Sequence, residues 1–277
     1  MKALRRFLAG PATSGEPRLP DGYRLYAVGD VHGRDDLLVD LLAMIEADSS
    51  ERRPAKRIIV FLGDLIDRGP ASAAVVERLR TYRPADTHVI FLAGNHEEVL
   101  LRILDGDEEL VADWLRFGGA ECIRSYGVDP GDLRRMSPER AIEIIRSAIP
   151  AAHAEFLRGF DDTFRAGDYL FVHAGIRPGV PLAAQARSDL RWIREPFLTD
   201  RAEHGFIVVH GHTIRKQIED CGNRIGIDTG AYRFGVLSAL GLESTDRWYL
   251  QAPLGNSGPG GNRSTSSALD AVSSQSG

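Results

Sequence analysis

Three short runs set carboxylates, an amide and imidazoles beside glycine: Gly29-Asp30-Val31-His32-Gly33, Gly63-Asp64-Leu65-Ile66-Asp67-Arg68-Gly69 and Gly94-Asn95-His96-Glu97. Two later runs, Val172-His173-Ala174-Gly175 and His210-Gly211-His212-Thr213, add further imidazoles. Carboxylate oxygen, amide oxygen and imidazole nitrogen without a thiolate suit manganese, iron or zinc, whereas an all-oxygen calcium or magnesium cage has no use for histidine. Of the eight histidines, His32, His96, His173, His210 and His212 fall in these runs; His88, His153 and His204 do not and read as ordinary packing or surface residues. The donors outnumber what one tetrahedral ion takes, so two ions sharing a carboxylate bridge are the economical arrangement. Two ions about 4 Å apart can clamp an in-line displacement at phosphorus and activate a water. The chemistry indicated is metal-assisted hydrolysis of a phosphoester.

The elements that must carry these groups are legible as well. Residues 24–28, 57–62 and 88–93 are rich in β-branched and aromatic side chains, and each run closes on a glycine, as buried strands do. Between them Leu37, Leu38, Leu41, Leu42 and Ile45 share one helical face, and residues 71–79 repeat the pattern. Alternating strand and helix predicts a parallel sheet with right-handed crossovers, whose carboxyl edge is where ligands bind. That edge gathers Asp30, His32, Asp64 and Asn95. Residues 97–160 read as helical, with a turn at Gly118 and Gly119, and Trp192 reads as core. The strands that return after residue 168 follow one another closely, which predicts a mainly antiparallel half. Residues 1–22 and the Gly/Ser-rich residues 253–277 read as flexible or disordered tails around one body over 23–252, with a helical cap at about 105–160.

Composition narrows the class. With 277 residues, 43% hydrophobic and 26% charged, the chain is of ordinary globular type. A net charge of −5 disfavours tracking of a nucleic-acid backbone, which needs a concentrated basic face. Cys122 and Cys221 form no paired motif, so neither a disulfide framework nor a thiolate zinc site is expected. No apolar run approaches the roughly eighteen residues of a membrane span, and the early Arg5, Arg6 and Pro11 break a signal-peptide pattern. The expectation is a cytoplasmic protein with no membrane partner.

The ordered set GDVHG, GDLIDRG, GNHE, HAG and GHT resembles the phosphoprotein phosphatase superfamily of metallophosphoesterases, and is most similar to its bacterial and phage-lambda-type serine/threonine phosphatases. WLRFGG, DLRWIR and IDTGA extend the likeness over nearly the whole body. The resemblance implies an α/β calcineurin-like fold, a central mixed β-sandwich flanked by helices. It implies that Asp30 and His32 hold one metal, that Asp64 bridges to a second, and that Asn95, His173 and His212 complete that second site, with His210 left out. The metals implied are two divalent ions, manganese first, with iron or zinc as alternatives. His96 becomes the acid that protonates the leaving oxygen, Asp67 its orienting carboxylate, and Arg68 and Arg194 the phosphate clamps. Bottom-up chemistry agrees, since an alkoxide leaves poorly and histidine is the usual donor near neutral pH, while guanidinium forks onto phosphate. Asp228 and Tyr232 are candidates for the site's surroundings, and Glu97 suits the positive end of a helix.

The activity implied is dephosphorylation of phosphoserine and phosphothreonine in a protein or peptide, by direct attack of a metal-bridging hydroxide. A symmetric dinucleoside tetraphosphate hydrolase is the alternative, and a broad phosphodiesterase or a metal-free scaffold are further rivals. Asp67 and Glu97 depart from the dinucleotide-hydrolase pattern, and the full donor set argues against a scaffold.

Overall fold

The computed structural model describes residues 15–255, so residues 1–14 and 256–277 of the tails expected over 1–22 and 253–277 lie outside the described residues. β1 (Tyr23–Val28), β2 (Lys56–Phe61) and β3 (Thr87–Phe91) lie side by side and parallel, connected through α1 (Asp35–Ser50) and α2 (Ser72–Thr81). From the end of β3 the chain enters α3 (Asn95–Asp105), α4 (Leu110–Trp114), α5 (Ala120–Ser125), α6 (Pro130–Leu133), α7 (Pro138–Ala148) and α8 (Ala151–Arg158). A second sheet holds β4 (Thr163–Ala166), β5 (Tyr169–Val172), β6 (Ile207–His210), β7 (Glu219–Asp220) and β8 (Arg224–Gly226), with α9 (Arg187–Trp192) between β5 and β6. The short α10 (Ala231–Phe234) leads into β9 (Val236–Glu243) and β10 (Asp246–Pro253).

The sheets run β10-β9-β1-β2-β3 and β4-β5-β6-β8-β7. This departs from the mainly antiparallel second half that the sequence spacing predicts. β5, β6 and β8 are parallel neighbours, because residues 173–206 are long enough for a crossover that carries α9. β9 and β10 leave that sheet and add antiparallel strands to β1.

Alternation along β1 shows how the layers form. Leu25 and Ala27 face inward, where they meet Phe171, Val209 and Ile225 of the second sheet; Tyr26 and Val28 face outward onto Leu38 and Leu41 of α1. The second sheet turns Leu170, Val172 and Val208 onto Leu190, Ile193 and Phe197. Val111, Trp114, Ile142 and Ile145, where the cap is expected, share one apolar cluster with Phe61 of β2, so these helices extend the body's outer layer.

The body also begins earlier than residue 23. Leu19 is fully buried, its N–H donates to Ser244 O at 2.9 Å, and Arg18 N–H donates to Asp168 Oδ2 at 3.1 Å.

Candidate active site

Every early strand delivers its polar residues at its carboxyl end. Asp30 and His32 follow β1, residues 64–68 follow β2, and Asn95 and His96 open α3 just after β3. His173 follows β5 and His212 follows β6. The donor atoms of His32, Asp64 and His96 lie within 4.8 Å of one another, as do those of Asp64, His173 and His212. Asp64 therefore sits where two donor groups meet. Its Oδ2 is 3.6 Å from His32 Nε2, 3.4 Å from His173 Nε2 and 4.0 Å from His96 Nε2. Asn95 Oδ1 lies 3.0 Å from His173 Nε2 and 2.9 Å from His212 Nδ1. Asp30 is a donor in neither group; its Oδ2 accepts the His212 backbone N–H at 3.0 Å, and its Oδ1 is buried with no hydrogen-bond partner among the described residues.

Two imidazoles are aimed by backbone carbonyls. His32 Nδ1 donates to Ile66 O at 2.8 Å and His173 Nδ1 to Leu62 O at 2.9 Å, which turns each Nε2 toward Asp64. The loops pay in strain: His32 (φ 45°), Asp64 (50°), Asp67 (71°), Arg68 (67°) and His212 (63°) all hold the left-handed region. Such conformations cost about 1–3 kcal/mol apiece and persist only where surroundings impose them. Glu97 imposes one of them. Fully buried, it accepts N–H groups from Asp64 (2.9 Å), Leu65 (2.7 Å) and Gly94 (2.9 Å), tying the β2 loop to the start of α3. Burial, then the nearby Asp64 charge, pushes its carboxyl up to about 7.

His96 Nδ1 is 2.6 Å from Asp67 Oδ2. The indole N–H of Trp114 donates to both oxygens of Asp67, at 3.2 and 3.1 Å, and Asp67 N–H donates to Ser72 Oγ at 3.0 Å. Nothing in the sequence marks Trp114 for this role beyond its place in the WLRFGG run. The glycines of that run explain themselves here. Gly118 adopts φ 125° and accepts Arg68 N–H at 3.0 Å, and a Cβ there would stand 2.6 Å from Arg68 Cγ. A Cβ on Gly119 would strike the Trp114 ring at 2.2 Å.

Half-buried Arg68 lies with Nη1 3.2 Å from His32 Nε2 and its guanidinium 4.8 Å from the centre of the Tyr232 ring. Tyr232 also meets the His32 ring edge-on at 5.1 Å, so the structure brings it to the site. Arg194 is exposed, and its charge is one of those that disfavour protonation of His212, behind burial and His173; the His212 ring is pushed down to about 3. His210 turns away: its Nδ1 faces Gly211 O at 3.0 Å and its ring packs on Phe197 at 5.1 Å. Asp228 Oδ1 accepts Gly230 N–H at 3.0 Å, closing a turn, while its Oδ2 is buried without a hydrogen-bond partner among the described residues. Trp192, read from sequence as core, is instead 42% exposed.

The charge balance fits a cation. Burial, then the Asp228 and Asp64 carboxylates, raises Asp30 well above the ordinary range, and burial raises Asp228 to about 6. Burial also works against Asp64, but the His173 and His96 imidazoles hold it well below the usual value. Buried carboxylates with orphaned oxygens, facing imidazole and amide donors, are the environment in which divalent ions are held. Asp30, His32, Asp64, Asn95, His173 and His212 would hold them.

The chain is 26% identical over 272 residues to a symmetrical bis(5'-nucleosyl)-tetraphosphatase of Janthinobacterium sp. (strain Marseille), covering 82% of this chain and 94% of that one. It is 27% identical over 245 residues to the asymmetrical bis(5'-nucleosyl)-tetraphosphatase PrpE of Bacillus velezensis, covering 79% and 92%. A solved structure provisionally assigned as a diadenosine tetraphosphatase superposes with a TM-score of 0.59 at 20% identity, covering 84% and 95%, which shows a shared fold. The family model for calcineurin-like phosphoesterases matches residues 23–229, and the chain belongs to that family.

Proposed function

We propose that this metallophosphoesterase hydrolyses dinucleoside polyphosphates at the cage centred on Asp64. The observation that carries the reading is the likeness to bis(5'-nucleosyl)-tetraphosphatases along about four-fifths of the chain, joined to a guanidinium beside the metal donors. Divalent ions bound there supply an activated water and neutralise the attacked phosphoryl oxygens. Arg68 forks onto phosphate oxygens and holds the phosphorus in place. Asp67 accepts the His96 Nδ1–H, fixes the ring and leaves Nε2 to hand a proton to the departing oxygen. Manganese is the ion proposed, and Arg194 the second phosphate contact. Incubation with diadenosine tetraphosphate and Mn²⁺ tests the reading: mononucleotide products are expected, and an unchanged dinucleotide contradicts it.

One observation favours a second reading, a serine/threonine protein phosphatase. The buried 2.6 Å pair of His96 and Asp67 favours a protonated imidazole, and it is the alkoxide of a phosphoserine, far more than a departing phosphate, that needs a proton.

A further inference from the structure

Among the described residues three aromatic side chains are exposed: Phe117 (58%), Trp192 (42%) and Phe234 (40%). Every other Phe, Tyr and Trp there is buried or half-buried. Exposed apolar residues scattered singly need no explanation, but these three sit on segments that carry site residues or hydrogen-bond to them. Phe117 precedes Gly118, whose carbonyl accepts Arg68 N–H. Phe234 closes α10, which carries Tyr232 onto Arg68, and its N–H donates to Gly230 O at 2.6 Å. Trp192 closes α9, whose Leu190 carbonyl accepts the N–H of Ala174, the residue after His173.

Cations accompany the rings. The Arg116 guanidinium lies 5.2 Å from the centre of Phe117, and Arg233 and Lys216 lie 5.4 and 5.9 Å from that of Phe234. With Arg68 and Arg194, exposed rings and cations thus fall on segments that carry site residues or hydrogen-bond to them. A phosphoserine or phosphothreonine side chain offers one dianion and no aromatic group of its own. A ligand that matches rings and cations together carries a chain of phosphates between planar bases.

We infer that Phe117, Trp192 and Phe234 are base-stacking, specificity-determining residues for a nucleoside polyphosphate, with Arg116, Lys216 and Arg233 neutralising phosphates beyond those held at Arg68. The inference deepens the function proposed above and rests on it. Stacking is tolerant of base identity because every base has a π-face, so adenine and guanine dinucleotides are bound alike.

The test measures inhibition of p-nitrophenyl phosphate hydrolysis by diadenosine tetraphosphate and by inorganic tripolyphosphate, in the Mn²⁺-loaded wild type and in Phe117→Ala, Trp192→Ala and Phe234→Ala. Each substitution is expected to weaken the dinucleotide about tenfold and tripolyphosphate much less, with Phe→Tyr variants at 117 and 234 restoring affinity. Equal weakening of both inhibitors, or of neither, overturns the inference. Cleavage of the dinucleotide is scored separately: ring-dependent inhibition without cleavage supports the inference and overturns the proposed function.

Discussion

Trp114 points its indole N–H at Asp67 from 3.1 to 3.2 Å, and Asp67 in turn lies 2.6 Å from His96. The ring and the carboxylate are both buried, at 3% and 0% exposure, so neither can exchange the other for water. The relationship makes Trp114 a support for the Asp67–His96 pair, in which His96 is the proposed proton donor.

Trp114→Phe keeps the ring's bulk and removes its N–H. A buried carboxylate that loses one donor is destabilised by about 1–3 kcal/mol, so a modest fall in melting temperature is expected. Turnover of phenyl phosphate, whose leaving group needs a proton, should fall more than that of p-nitrophenyl phosphate. Equal losses on the two substrates would show packing alone.

His96→Asn should lower turnover by roughly 10²–10⁴ on alkyl phosphoesters. Asp30, His32, Asp64, Asn95, His173 and His212, proposed to hold the metals, are unaltered, so metal content by elemental analysis should match the wild type. Near-normal turnover in the metal-loaded variant would remove His96 from the acid role.

Gly118→Ala places a Cβ 2.6 Å from Arg68 Cγ in a backbone at φ 125°. Strain of about 1–3 kcal/mol is expected, with Arg68 displaced. The Michaelis constant for phosphate-bearing substrates should rise, and inorganic phosphate should inhibit less; an unchanged phosphate inhibition constant contradicts the placement of Arg68.

Chelation should remove activity and lower the melting temperature together. Asp30, Asp64 and Asp228 repel one another without a cation, and an ion that binds only the folded cage stabilises it by mass action. Calorimetry with and without Mn²⁺ reads the effect; a melting temperature indifferent to metal contradicts the cage.

Much of this centre was legible because each strand ends at its glycine, so Asp30, Asp64 and Asn95 reach one sheet edge by topology alone. Glu97 was legible as a helix-start residue, but its three hydrogen bonds join segments that touch only after folding. Trp114 was hidden for the same reason, since a tryptophan in a helix reads as core until its N–H is seen to face Asp67. Trp192 failed in the opposite direction, because apolar character does not say which rings stay outside. The β5-β6-β8 parallel set was missed because close spacing suggests hairpins, and the crossover through residues 173–206 has little regular structure to announce it.

The most direct measurement compares kcat/KM for diadenosine tetraphosphate and for a phosphothreonine peptide, using metal-stripped protein before and after Mn²⁺ is restored. No turnover is expected without metal and, with it, preference for the dinucleotide by at least an order of magnitude. Preference for the peptide, or dinucleotide cleavage that ignores metal, would contradict it.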